Sequence, residues 1–271
     1  MRPNREQGQK PISTREWYDF IGQLADILPG LHLGGKEATN TLLEKCRLDS
    51  ESLVLDVGCG PGSTAILIGQ KHGSQVLGID ISEVMVAQAK DRARRHGLTD
   101  KVAFRVANVF RLPFEDDCFD VVIVESVLTT LPGDKQQALM EMVRVVRPGG
   151  RFGVNETTID PSAPAEFLKL LDEHPAIHGH FTPQTLHNLF EEAGLQEFYS
   201  ETDTKGVETL SALKQMGLRG LLSFLVRTYP KILLKLLRDA RFREAGRVDD
   251  EITKRGKQIM GYTLVVAQKP G

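Results

Sequence analysis

Cysteine is scarce in this chain: three residues in 271, Cys46, Cys59 and Cys118, odd in number and far apart. That argues against a disulfide framework and fits a reducing compartment, so the expected location is the cytoplasm. Long apolar runs are missing too. The stretch Leu218–Arg238 is strongly apolar, yet charges interrupt it before the ~20 clean residues that a membrane-spanning helix needs. Met1–Lys10 is polar and lacks an apolar centre, so no secretory signal is read there. Net charge is small, −2, and by itself points to neither a nucleic-acid partner nor an acidic tail. Repeats and low-complexity tracts are not evident. What is present is 41% apolar residues over 271 positions, enough for one sizeable core in one domain plus an insertion.

The most informative stretch is Leu53–Gly62, LVLDVGCGPG, followed by Gln75–Asp80, QVLGID. Leu53, Val54, Leu55 and Val57 form the short apolar run of a strand covered on both faces, and turn residues end it. Gly58, Gly60 and Gly62 let the backbone turn sharply beside a ligand. A helix starting near Ser63 would aim its unpaired N–H groups at the same gap. Asp80, at the tip of the next strand, can accept two hydrogen bonds from a ribose diol. A dinucleotide site would read G-x-G-x-x-G, whereas here the order is Asp56-x-Gly58-x-Gly60-x-Gly62, with Cys59 as a small residue between glycines.

This element resembles motif I of the class I S-adenosylmethionine-dependent methyltransferases, in the small-molecule group of the ubiquinone and menaquinone methyltransferases. The resemblance covers about residues 31–203 and 259–268. It continues in Asn108–Phe114, where the family usually has an acidic residue and then Leu-Pro-Phe; this chain carries Asn108 instead, which can still accept from an adenine amino group. The family also shares the element R-V-x-x-P-G-G that ends at Gly150. The resemblance implies S-adenosylmethionine as co-substrate and S-adenosylhomocysteine as product. The expected cofactor-binding residues are Asp56, Gly58, Cys59, Gly60, Gly62, Asp80, Ile81, Asn108, Val109, Glu125 and Gly35. Gly35 belongs to a His-x-Gly-Gly segment, His32–Gly35, that closes over the methionine end in several relatives; it reads equally well as a flexible loop.

The expected fold is α/β, an open, doubly wound, Rossmann-like sheet. Parallel strands at about 52–57, 75–80, 102–107, 119–125 and 150–157 alternate with helices, and a sixth follows at 195–202. The resemblance adds that the seventh strand, Tyr262–Ala267, lies antiparallel between the fifth and sixth. Residues 1–50 are read as an N-terminal helical cap, 51–205 and 259–271 as the methyltransferase domain, and 206–258 as a helical insertion. That insertion is basic: Val207–Gln258 holds 12 Lys or Arg against 6 Asp or Glu, a net of +6 that leaves −8 for the rest. It reads as two helical pieces broken at Pro230, with Arg227, Lys231 and Lys235 on one stripe. Such a lid either snorkels its cations to water or touches an anionic membrane surface or lipophilic substrate.

Ligands in such sheets bind beyond the carboxyl ends of the strands, so Glu125 and Glu156, at the ends of the fourth and fifth strands, are candidate bases or substrate contacts. His178 and His180 are candidate acids or bases in the cluster His174–His180, and no metal site is expected there because the spacing is irregular and no thiol is near. The leading function is methyl transfer to a small acceptor, with a lipophilic one among the candidates. Carbon, nitrogen, oxygen and sulfur acceptors all stay open, as does oligomeric state. The basic insertion keeps nucleic-acid modification in view, but Glu125–Leu128 lacks the Asn/Asp-Pro-Pro-Tyr/Phe element of base-modifying enzymes. A non-catalytic module that binds the donor and a nicotinamide oxidoreductase are the remaining readings.

Overall fold

The computed structural model describes residues 10–23, 32–204, 226 and 229–271. Its centre is one sheet of seven strands in the order β3-β2-β1-β4-β5-β7-β6. These are β1 Leu53–Val57, β2 Gln75–Asp80, β3 Val102–Val106, β4 Phe119–Glu125, β5 Val146–Ile159, β6 Gln196–Asp203 and β7 Met260–Gln268. β1 to β5 pair in parallel, and β7 runs antiparallel to both β5 and β6. The helices are α1 Thr14–Gly22, α2 Gly35–Cys46, α3 Ser63–Lys71, α4 Glu83–Arg95, α5 Lys135–Val145, α6 Ala165–Asp172, α7 Pro183–Glu192, α8 Tyr229–Arg238 and α9 Ala240–Gly256.

Strand residues alternate between two apolar layers. Leu55, Val57, Val122 and Val124 pack on the face shared with α5 and α7, whereas Val54, Val121 and Ile123 pack on the face covered by α2, α3 and α4. Burial on both faces is why β1 and β4 are almost continuously apolar. The strand order reverses between β1 and β4, which opens a crevice at their carboxyl ends.

Local signals explain the element ends. Ser82 caps α4 by accepting the Met85 N–H at 3.1 Å, and Gly97 just beyond that helix has φ +67°. One boundary differs from the sequence reading. The chain becomes extended at Val146, not after Gly150, because the fully buried Val146 pairs with Phe119; the register then slips, so that Val121 faces Arg151 and Arg147–Gly150 bulges out.

Above the carboxyl ends lies a second layer. Ile12 and Trp17 of the α1 region pack with Phe242 and Ala245 of α9, and Val248 and Ile252 of α9 pack on Ile159, Phe167 and Leu171. Pro230 sits in the first turn of α8, where a missing N–H breaks no helical bond. The piece expected before it, with Leu225 and Arg227, lies outside the described residues, as does the side chain of Lys231. Lys235 is engaged within the fold, 3.5 Å from Asp239 and 4.2 Å from the Phe242 ring centre. Among the described residues no helix is long and apolar enough to cross a membrane.

Candidate active site

A cavity of about 680 Å³ occupies the crevice between β1, β2 and β4. Its floor is the glycine turn. Gly58 holds φ +69°, and a Cβ there would meet Val127 Cγ2 at 2.3 Å, so any other residue would strain the turn. The turn is tied to β2: the Cys59 N–H donates to the Ile79 carbonyl at 2.9 Å and the Gly60 N–H to Asp80 Oδ2 at 2.9 Å. The other oxygen of Asp80 accepts the Ser82 N–H at 2.8 Å. Burial raises the Asp80 pKa, and the Ser82 and Gly60 N–H groups work against that rise. α3 opens directly onto the cavity with Ser63 and Thr64.

Two further carboxylates line the floor. Glu125 accepts from the Thr64 and Thr39 hydroxyls at 2.6 and 2.9 Å and from Asn155 Nδ2 at 3.3 Å, with His32 Nδ1 at 3.7 Å. Asp56 is buried with its Oδ2 lacking any hydrogen-bond partner. Burial pushes its pKa up to about 8, and the charges of Glu125 and Asp80 add to the rise. A cation is therefore the group this floor lacks.

The opposite wall is largely apolar: Ile12 and Tyr18 come from the α1 region, Leu131 and Pro132 from the turn after β4, and Pro175 and His178 from the segment between α6 and α7. His178 approaches Thr14 Oγ1 at 2.5 Å through Nε2, and its carbonyl accepts from Lys135 Nζ at 2.9 Å. Burial and the neighbouring Lys135 charge lower its pKa, so the ring is neutral near pH 7 and able to take a proton.

Of the residues expected from sequence, Asp56, Gly58, Cys59, Gly60, Asp80, Ile81, Asn108, Val109, Glu125, His32 and His178 line the cavity. Asn108 Oδ1 already accepts the Phe110 N–H at 3.0 Å, which leaves one lone pair for a ligand. Burial pushes the Cys59 thiol well up, so it is a packing residue, not a reactive one. Three expectations need correction. Gly62 stands behind the turn, where a Cβ would meet Phe104 at 2.7 Å; it serves loop packing. Gly35 is the first residue of α2 and is not part of the cavity wall, though its carbonyl accepts from Thr39.

Glu156 is the larger correction. Neighbouring residues of a strand face opposite ways, and while Asn155 turns towards Glu125, Glu156 turns to the other face. There it is fully buried and accepts from the Leu128 N–H at 2.7 Å, the Thr129 hydroxyl at 2.9 Å and the Thr157 N–H at 3.0 Å. It fixes the turn after β4 and does not line the cavity. Sequence reasoning missed Thr14, Tyr18, Thr39, Thr64 and Ser126, polar residues with no motif of their own. Among the described residues no three His, Cys, Asp or Glu side chains are grouped as metal ligands.

The sequence matches the model of a methyltransferase domain over residues 48–194, more than half of the chain. The chain belongs to the class I S-adenosylmethionine-dependent methyltransferases. It is 32% identical over 195 residues to an uncharacterized protein of Haemophilus influenzae, covering 72% of this chain and 74% of that one. It is 35% identical over 166 residues to the 27-O-demethylrifamycin SV methyltransferase of Amycolatopsis mediterranei, covering 56% of this chain and 61% of that one, less than two thirds of the relative's length. The fold matches a [4+2]-cyclase, SpnF, with a TM-score of 0.73 over 97% of this chain and 98% of the other at 24% identity. S-adenosylmethionine is the methyl donor, and the floor fits it: the donor carries an ammonium and a sulfonium, and Asp56 holds an unpartnered oxygen beside the Glu125 and Asp80 carboxylates.

Proposed function

We propose that this methyltransferase acts on a small, lipophilic acceptor by in-line displacement, with His178 as the base that takes the acceptor's proton. The carrying observation is one continuous cavity with a carboxylate-lined floor at the glycine turn and an apolar wall from the α1 region and the loops after β4 and α6. Its volume lies in the ~300–1,000 Å³ range of small-molecule sites. Residues 10–23 and 229–256, the described helical parts of the cap and the insertion, act in this reading as a cover over the methyltransferase domain, and Leu233, Leu234 and Leu237, exposed on α8, support contact with lipophilic molecules. The Amycolatopsis relative, named for methylating 27-O-demethylrifamycin SV, also supports a small-molecule acceptor.

The bound donor supplies an electrophilic methyl group on a sulfonium sulfur. The chain supplies position and proton transfer. Asp80 and Asn108 hold the nucleoside end, and Asp56 and Glu125 face the cationic end. As the acceptor's nucleophilic atom bonds to carbon and the carbon–sulfur bond breaks, the acceptor proton passes to the neutral ring of His178, which Thr14 orients. Burial raises the Tyr18 phenol pKa, so Tyr18 stays neutral and can donate a hydrogen bond but not act as a base.

The test is transfer from methyl-labelled S-adenosylmethionine to a panel of lipophilic phenols, quinols and amines, read as S-adenosylhomocysteine released. Turnover on members of that panel is expected; labelling of RNA alone would overturn the reading. His178→Ala should lower kcat by about 100-fold, the scale of a lost general base, with donor affinity unchanged. Because the His178 pKa is lowered, the acid limb of the rate profile should fall below the ordinary histidine value of ~6.5.

A further inference from the structure

Beside the main cavity lies a second of about 230 Å³, enclosed by the end of β5, α6 and α9. Ile159, Leu171, Ile177, Ile252 and Met260 form its apolar side. Tyr18, Ser126 and Thr130 line both cavities, so the two adjoin. The smaller one falls below the ~300 Å³ of a complete small-molecule site. It has room for one end of a molecule that extends from the main cavity. At the junction, Ser126 Oγ is buried without a partner.

The second cavity also contains a histidine whose state the geometry fixes. His174 is 6% exposed, and the Trp17 ring holds it edge-on with ring centres 4.9 Å apart. Its Nδ1 accepts the Ala176 N–H at 3.2 Å, which puts the ring proton on Nε2. Nε2 is buried and has no hydrogen-bond partner; Asp249 Oδ1, at 3.7 Å, is out of range. Burial lowers the His174 pKa to about 4, so this donor is neutral across the physiological range. Buried N–H groups without an acceptor are rare, and a ligand oxygen placed there removes the penalty.

We propose that the second cavity is the far subsite for the methyl acceptor and that His174 Nε2–H selects acceptors carrying an uncharged oxygen, a carbonyl or ether, at the end remote from the methylated atom. This rests on the small-molecule methyl transfer proposed above. Acceptors are then elongated and mostly apolar, with a nucleophile at one end and this oxygen towards the other. A carboxylate in place of the oxygen is disfavoured by Asp249, which lines the same cavity.

The test uses two phenols of one shape, 4-hydroxybenzophenone and 4-benzylphenol, which differ only in a carbonyl against a methylene. Each is titrated by calorimetry into full-length protein loaded with S-adenosylhomocysteine. The ketone should bind about fivefold more tightly, the scale of one neutral hydrogen bond. The ¹⁵N resonance of His174 Nε2 should move with the ketone and not with the methylene compound. His174→Leu should bring the ratio close to one, and His174→Gln, which restores an N–H donor, should recover it. Equal affinities in the unaltered protein, a preference that survives His174→Leu, or no binding of either phenol would overturn the inference. Saturable uptake of S-adenosylhomocysteine in the same samples separates that result from failure of the methyl-transfer reading, which would show as no uptake.

Discussion

Asp80 combines two tasks in one carboxylate. Each of its oxygens already accepts a backbone N–H, from Gly60 and from Ser82, so it shapes the glycine turn; in the proposed function its remaining lone pairs take a ribose diol. Asp80→Ala should weaken donor binding by roughly 10- to 100-fold, the scale of lost charged hydrogen bonds, and lower the melting temperature as well. Calorimetry showing unchanged donor affinity would refute the placement of the ribose. Asp56 gives a sharper signature. Its pKa, raised to about 8, leaves it mostly protonated at pH 7, and a cationic ligand beside it favours the ionised form. Donor binding at pH 7 should therefore release a proton, and affinity should rise as pH approaches 8. Binding heats measured in buffers of different ionisation enthalpy report that proton, and Asp56→Asn should abolish it.

The behaviour of β5 shows what an element adds to a motif. Asn155 and Glu156 are adjacent in sequence, but the strand turns one against Glu125 behind the cavity floor and the other into the layer beneath the turn after β4. Glu156→Gln would set an amide N–H₂ against donors already in place and should cost about 1–3 kcal/mol of stability, read from urea midpoints, while donor affinity changes little. Burial holds the Glu156 pKa at about 7, above the ordinary carboxylate value. Its contribution is thus fully present below about pH 4.5 and is lost as pH rises through about 7, because only the folded state keeps the proton in that window. The difference in midpoint between the parent and Glu156→Gln should accordingly be larger at pH 5 than at pH 8. The five early strands and the glycine turn were legible because each is a contiguous run with its own period and turn chemistry. The facing of Glu156 was not, since it depends on pairing with β4, and neither were Thr39 and Thr64, whose contact with Glu125 joins three separate elements.

At the scale of the whole molecule, α1 links the two halves of the proposed site. On the donor side, Ser82, two residues from Asp80, donates to Asp19, Gln88 donates to the Gly22 carbonyl, and Arg15 pairs with Glu83 at 2.9 Å. On the acceptor side, Trp17 stacks on Phe242 of α9 with ring centres 6.2 Å apart and braces His174. Nothing in the local sequence of α1 marks this role, because its partners lie far along the chain. Phe242→Ala should open the acceptor side selectively: Phe242 is 2% exposed, and removing such a buried ring costs about 3–5 kcal/mol. The hydrogen bonds of α1 to α4 stay in place, so affinity for S-adenosylhomocysteine should fall by much less than affinity for the acceptor. Trp17 is the single tryptophan of the chain, so its emission reports this contact without labelling. A red shift in Phe242→Ala, with a raised acceptor KM and a nearly unchanged donor affinity, is the expected set of results. Equal losses for both ligands would mean that α1 and α9 shape the donor site as much as the acceptor site, and that the division into two halves is wrong.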